Sequence, residues 1–210
     1  MNDNKLEPDA HRKREEQQLE FLLEFLSYSK NYCVCIVDMV GSTKAVMKLD
    51  GNQVMMYYSI FLNMMANIAK SFNAVVVKNI GDSLLFYFPK TEDEDTDAFK
   101  EAFECCLTML DKRGEVNMLM NKEGLPEVSY RISSEYGSVV VAKMSTSSVN
   151  DIFGSTVNIC SKINSIAKPN SFIIGQELYN RTRSFNEYIF TEIKDARLMK
   201  DYHVYLITRR

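Results

Sequence analysis

Tyr32-Cys-Val-Cys-Ile-Val-Asp38 is an unbroken apolar run that ends on a carboxylate, and Gly41-Ser42-Thr43 follows almost at once. A run this short, apolar and rich in β-branched residues is the pattern of a strand buried on both faces. Glycine and two hydroxyl residues then supply the tight turn and the capping groups that open a helix. Such a strand needs a layer of structure on each side, so the rest of the chain must provide helices enough to cover it. With 210 residues, 46% of them hydrophobic and 25% charged, the chain is long enough to do so as one ordinary globular domain.

The remaining pattern supplies those layers. Residues from about Leu6 to Lys30 are charged at first and then carry Leu19, Leu22, Leu23 and Leu26 at helical spacing, which predicts a helical lead-in over 1–30 ahead of a domain over 31–210. Arg12 and Glu15 occupy the preceding seam positions, which argues against a long coiled coil. Asn52 to Phe72 reads as a helix whose methionines and aromatics, Met55 and Met56 among them, are core packing. Asn73 to Lys78 and Ser83 to Phe88 read as a tight hairpin with Asp82 at its tip. An acidic loop, Thr91 to Asp97, precedes one helix from about Ala98 to Asn121. Val128 to Tyr136 and Ser138 to Lys143 suggest a second hairpin turning at Gly137. A Ser/Thr loop leads to Asp151, then a helix over Val157 to Ala167, a strand Phe172 to Gly175, a helix Gln176 to Thr182 and two closing strands. This order is α+β, and a ferredoxin-like antiparallel sheet with helices packed on it is the simplest frame.

Charge and cysteine usage exclude several functions. Twenty-five Lys and Arg against 28 Asp and Glu leave a net charge of −3, which gives no basic excess for a nucleic-acid backbone. No apolar stretch is long enough to span a bilayer and the first residues are polar, so a cytoplasmic chain without a membrane segment is expected. The five cysteines lie in apolar patterns and read as reduced, buried thiols. A zinc site on Cys33 and Cys35 lacks a second ligand pair, since the chain's histidines are only His11 and His203.

In a ferredoxin-like sheet the end of the first strand and the tip of the next hairpin lie side by side, so Asp38 and Asp82 converge from 44 positions apart (82 − 38). Two carboxylates beside a Gly-Ser-Thr turn suit a divalent metal completed by phosphate oxygens, magnesium above all. Either aspartate alone would be an ordinary strand-end or turn residue.

The motifs Val37-Asp-Met-Val-Gly-Ser-Thr43, Lys78-Asn-Ile-Gly-Asp-Ser83, Arg131-Ile-Ser-Ser-Glu-Tyr-Gly137 and Asp151-Ile-Phe-Gly-Ser-Thr-Val-Asn158 follow one another in order. Together they resemble the class III nucleotidyl cyclase catalytic domain, the adenylate and guanylate cyclase family, from about Asn31 to Ile207. The resemblance implies that Asp38 and Asp82, with the backbone of Met39, bind two Mg2+ or Mn2+, and that Gly41, Ser42 and Thr43 receive phosphate. It implies that Lys78 and Asp151 read the base and that Asn158 orients the ribose. Lys and Asp at the base positions are those of adenylate cyclases, and ATP is the favoured substrate, because a lysine can donate to adenine N1 while an aspartate accepts from the exocyclic amino group.

Two departures stand out. Lys162 occupies the position of an arginine that contacts phosphate in the transition state; lysine keeps the charge without the bidentate fork, which predicts reduced but retained activity. The segment Ile193-Lys-Asp-Ala-Arg-Leu-Met-Lys200 lacks the family's glycine and leaves Lys194, Arg197 and Lys200 all open as triphosphate contacts. In the family each site is shared between two subunits, and this chain holds both halves, which implies a homodimer. The alternatives are a cyclase of GTP or a pyrimidine nucleotide, which Lys162 keeps open and Lys78 with Asp151 oppose, and a weakly active regulatory module that binds nucleotide.

Overall fold

The structure, a computed structural model, describes residues 23–145, 148–194 and 201–210. The apolar run lies inside β1 (Leu23–Met39), in the middle of one large sheet. The other strands are β2 (Val75–Ile80), β3 (Ser83–Phe88), β4 (Tyr130–Met144), β5 (Asp151–Phe153), β6 (Phe172–Gly175), β7 (Tyr188–Ile193) and β8 (Val204–Arg209). Their order is β2-β3-β1-β4-β6-β8-β7, with β5 paired to β4, and every pairing is antiparallel except β4 with β6. The α+β frame holds.

Alternation along β1 divides the core. Cys33, Cys35 and Val37 face a large cluster with Tyr57, Phe61, Met65 and Phe103, whereas Val34 and Ile36 face a second one with Val139, Ile152 and Cys160. The first cluster is covered by α2 (Gly51–Ser71) and α3 (Thr96–Asp111), the second by α5 (Ser155–Ile166). The helix α2 starts on Asp50 with a capping box to Gln53, and Tyr57, Phe61, Met65 and Ala69 form its buried stripe at i, i+4 spacing. Tyr58, Ile60, Met64 and Ile68 also pack against that cluster as expected, partly buried, whereas Met55, 66% exposed, and Met56, 36%, lie outside it. All five cysteines are free and buried, and burial pushes each thiol's pKa up, Cys106 to about 11.

Three local expectations are corrected. Leu23 to Lys30 is strand, not helix: it pairs with Val139 to Met144 across a bulge between Phe25 and Ser29, because the long β4 offers backbone groups that pairing satisfies. The rest of the expected lead-in lies outside the described residues. The single helix over Ala98 to Asn121 is two, α3 and α4 (Arg113–Lys122), broken at Lys112. The break lets buried Asn117 accept from Val128 N at 2.8 Å and donate to Val128 O at 3.1 Å. Gly137 does not turn a hairpin, because β4 runs straight through it. A Cβ there would lie 2.8 Å from Thr156 Oγ1, so the glycine is the gap through which the start of α5 approaches the sheet.

One buried acid anchors the far side of the molecule. Glu135, 1% exposed, accepts from Tyr136 N at 2.7 Å and from Leu178 N at 3.0 Å with Oε1, and from Tyr202 Oη with Oε2. Leu178 N belongs to the first turn of α6 (Gln176–Thr182), whose own N-cap, Gly175, offers no side chain, so Glu135 caps the helix from a neighbouring strand. Burial outweighs these donors and raises its pKa to about 8.

Candidate active site

Asp38 lies opposite Ser83 in the β1–β3 register, directly beside the β2–β3 turn at Gly81 and Asp82. Gly81 takes φ +63°, a left-handed value that suits glycine. Ser83 Oγ donates to Asp38 Oδ1, and buried Ser42 Oγ donates to Asp82 Oδ2. Ser42 opens the short helix α1 (Ser42–Val46) behind Gly41, which is left-handed at φ +76°, while Thr43 is exposed. The strand end, the hairpin tip and the Gly-Ser-Thr turn therefore meet. On the other side of β1, Asp38 pairs in register with Arg131, whose Nε and Nη2 reach Asp38 Oδ2 at 2.9 and 2.8 Å. Arg131 Nη1 donates to Ser165 O at 3.1 Å, at the end of α5.

Among the described residues no group of three or more His, Cys, Asp or Glu side chains gathers to hold a metal alone. The carboxylates of Asp38 and Asp82, brought to one corner by the β1–β3 register, are hard oxygen donors. That suits a hard divalent ion whose shell is completed by substrate phosphate, so the residues fit magnesium or manganese.

A second polar group lies on β2 and β5. Lys78 follows an irregularity in the β2–β3 register, and Asp151 opens β5. The Asp151 side chain is 4% exposed, a burial that a carboxylate tolerates only when paired. Its Oδ1 accepts from Ile152 N at 2.8 Å and its Oδ2 from Lys78 Nζ. Lys78, 39% exposed, also places Nζ 5.4 Å from the centre of the Phe153 ring. Lys78 is thus the half of this ion pair that solvent, and so a ligand, can reach.

Asp38 and Asp82 thus form one group, and Lys78 and Asp151 another. Among the described residues Asn158 and Lys162 belong to neither; they stand one turn apart on the exposed face of α5. Lys194 is exposed just past β7, and Arg197 and Lys200 lie outside the described residues. The sequence reading missed Arg131, Ser83 and Phe153 as parts of these groups. Each lies inside a motif it had singled out, but only the strand register reveals what the side chain touches.

An eight-stranded, mainly antiparallel sheet with paired carboxylates at the end of its first strand and the adjacent hairpin turn defines the class III nucleotidyl cyclase catalytic fold. Residues 26–208 match the family model of the adenylate and guanylate cyclase catalytic domain, and the chain belongs to that family. The fold is shared with the adenylyl cyclase CyaB of P. aeruginosa, at 17% identity and a TM-score of 0.76 over 87% of this chain and 96% of that one. It is shared also with the guanylyl cyclase Cya2, at 17% identity and 0.75 over 86% and 92%. A cytidylate cyclase of Staphylococcus aureus is 26% identical over 152 residues, 70% of this chain, which spans only 36% of that protein. Among the described residues no helix is long and apolar enough to cross a membrane.

Proposed function

We propose that the chain is a nucleotidyl cyclase whose substrate base presents an amino donor beside a ring-nitrogen acceptor, ATP first, and that it works as a homodimer with sites shared between subunits. The observation that carries the base reading is the Lys78–Asp151 pair. Lysine offers only donors and an aspartate only acceptors. Adenine presents the complement, an acceptor at N1 beside the amino donor at N6. Guanine and uracil present the opposite, a ring N–H donor beside a carbonyl, and would leave both side chains facing like partners. Cytosine offers N3 and its N4 amino group in the same arrangement as adenine, so among the pyrimidines the pair opposes uracil alone and the sequence expectation that it opposes both is corrected. CTP is therefore the second reading, and the similarity to a cytidylate cyclase favours it.

In the reaction the ribose 3′-oxygen attacks the α-phosphorus, the bond to the β-phosphate oxygen breaks, the hydroxyl proton passes to solvent and pyrophosphate leaves. Asp38, Asp82 and the Met39 carbonyl would hold two Mg2+ or Mn2+, which when bound acidify the hydroxyl and neutralise the triphosphate. Ser83 and Arg131 fix the Asp38 carboxylate, and Ser42 fixes that of Asp82. Gly41 to Thr43 bring backbone N–H groups to the phosphates. Asn158 orients the ribose of a nucleotide held by the partner subunit's metal-bearing half, and Lys162 offsets charge on the phosphoryl oxygens as the bond breaks.

The test is to incubate the protein with equimolar ATP, GTP, CTP and UTP in Mg2+ or Mn2+ and identify every cyclic product by mass spectrometry. Cyclic AMP as the main product supports the first reading and cyclic CMP the second. Cyclic GMP or cyclic UMP would overturn the role given to Lys78 and Asp151, and binding without any product would point to a regulatory module. For the shared site, mixing Asp38→Ala with Asn158→Ala chains restores activity above either alone; failure to do so refutes it.

A further inference from the structure

The Lys78–Asp151 pair cannot by itself separate adenine from cytosine, because both bases offer the same two groups. What differs is the size of the ring system, so discrimination needs a surface that a ring lies against. The strand register supplies one. Phe25 pairs with Ala142, and Ala142 pairs with Asp151, which puts the three residues in one row across β1, β4 and β5. Cross-strand partners project to the same face of a sheet, and so does Phe153, two residues beyond Asp151. Because Ala142 is small, the rings of Phe25 and Phe153 meet above it, edge to face, with centroids 5.5 Å apart. Phe153 in turn lies under Lys78 Nζ. Phe25 nonetheless remains 57% exposed. A large aromatic ring left more than half in water, held in place along one edge and adjoining a pair of hydrogen-bonding groups, has a free face for a planar ligand.

We propose that Phe25 is a specificity-determining residue, whose ring walls the base pocket and stacks on the nucleobase that Lys78 and Asp151 read. This rests on the base reading given above and adds to it a contact from the N-terminal part of β1. The two phenylalanines and the ion pair share the work: the pair selects a base with an amino donor beside a ring-nitrogen acceptor, and the aromatic wall rewards ring area. A purine covers more of that wall than a pyrimidine, so loss of Phe25 weakens ATP more than CTP.

The experiment is equilibrium dialysis of the 3′-deoxy forms of ATP, CTP, GTP and UTP, which lack the attacking hydroxyl, and of inorganic triphosphate against the full chain in Mg2+, for the wild type, Phe25→Ala and Phe25→Tyr. Loss of one base–aromatic stack predicts that Phe25→Ala weakens ATP about tenfold and CTP less, while Phe25→Tyr stays within about twofold of the wild type. Triphosphate, which has no base, binds all three proteins alike. The inference is overturned if Phe25→Ala binds ATP and CTP as the wild type does, or loses triphosphate to the same degree as nucleotide. Lys78→Ala separates this from the parent reading. If that variant loses the preference for ATP and CTP over GTP and UTP while Phe25→Ala changes nothing, the base reading stands and Phe25 has no part in it. If the wild type binds all four nucleotides no better than triphosphate, there is no base pocket and both fall.

Discussion

Replacing Glu135 by glutamine should make the protein more stable at alkaline pH and leave it almost unchanged in mild acid. The carboxyl is buried between β4, α6 and Tyr202, and its pKa rises from an ordinary 4.5 to about 8, first through burial and further through the nearby Glu177 charge, against the pull of its backbone donors. Below pH 4.5 folded and unfolded chains both carry the proton. Between 4.5 and 8 the unfolded chain releases it while the folded chain keeps it, so stability falls as pH rises, and above 8 it levels off. Each tenfold change in proton affinity is about 1.4 kcal/mol, so the total is about 5 kcal/mol, of which about 3 is lost by pH 7. Glutamine has the shape of the neutral acid. Its oxygen can accept from Tyr136 N and Leu178 N, and its amide can donate to Tyr202 Oη, whose own proton then turns from the side chain to solvent at this half-buried tyrosine. Urea unfolding of both proteins from pH 5 to 9 is the assay. Other titrating groups cancel in the difference, which should start within about 1 kcal/mol of zero and grow to several in favour of the variant. A difference that does not change with pH would refute the claim that Glu135 is held neutral in the folded protein.

Other expectations follow from the same contacts. Arg131→Ala frees the Asp38 carboxylate and should raise the Mg2+ needed for half-maximal activity by about 10- to 100-fold, as loss of a residue orienting a metal ligand does, with Arg131→Lys recovering part of it; an unchanged metal titration refutes this. Lys162→Arg restores the planar fork and should raise kcat about tenfold, the worth of one added charge-assisted hydrogen bond; no rise refutes the expectation that lysine at this position lowers turnover. Gly137→Ala brings a Cβ to 2.8 Å from Thr156 Oγ1 and should cost about 1–3 kcal/mol in a denaturation curve; Thr156→Ser keeps that oxygen and should recover nothing, so recovery by serine would refute the assignment of the clash to the hydroxyl.

The sequence by itself determined the element types and the rough location of the chemistry. The run from Cys33 to Val37 had to be a central strand, because its apolar side chains leave neither face to water. Gly81 and the polar residues around it had to turn, because a left-handed residue joins the two β-rich runs. Four ordered motifs then brought Asp38, Asp82, Lys78 and Asp151 into view before any coordinates. Gly137 shows where that reasoning stops: a glycine between two β-rich runs predicts a turn, yet this one exists to admit Thr156, a residue 19 positions on (156 − 137). Leu23 to Lys30 shows the same thing from the other side, since helical spacing there yields to backbone groups that only β4 presents. Which side chains touch was decided by register alone. Arg131 meets Asp38, and Phe25 meets Phe153 over Ala142, because three strands align at particular residues. Local sequence fixes propensity over a few residues, whereas register is a balance struck over the whole sheet, and the site is assembled at that level.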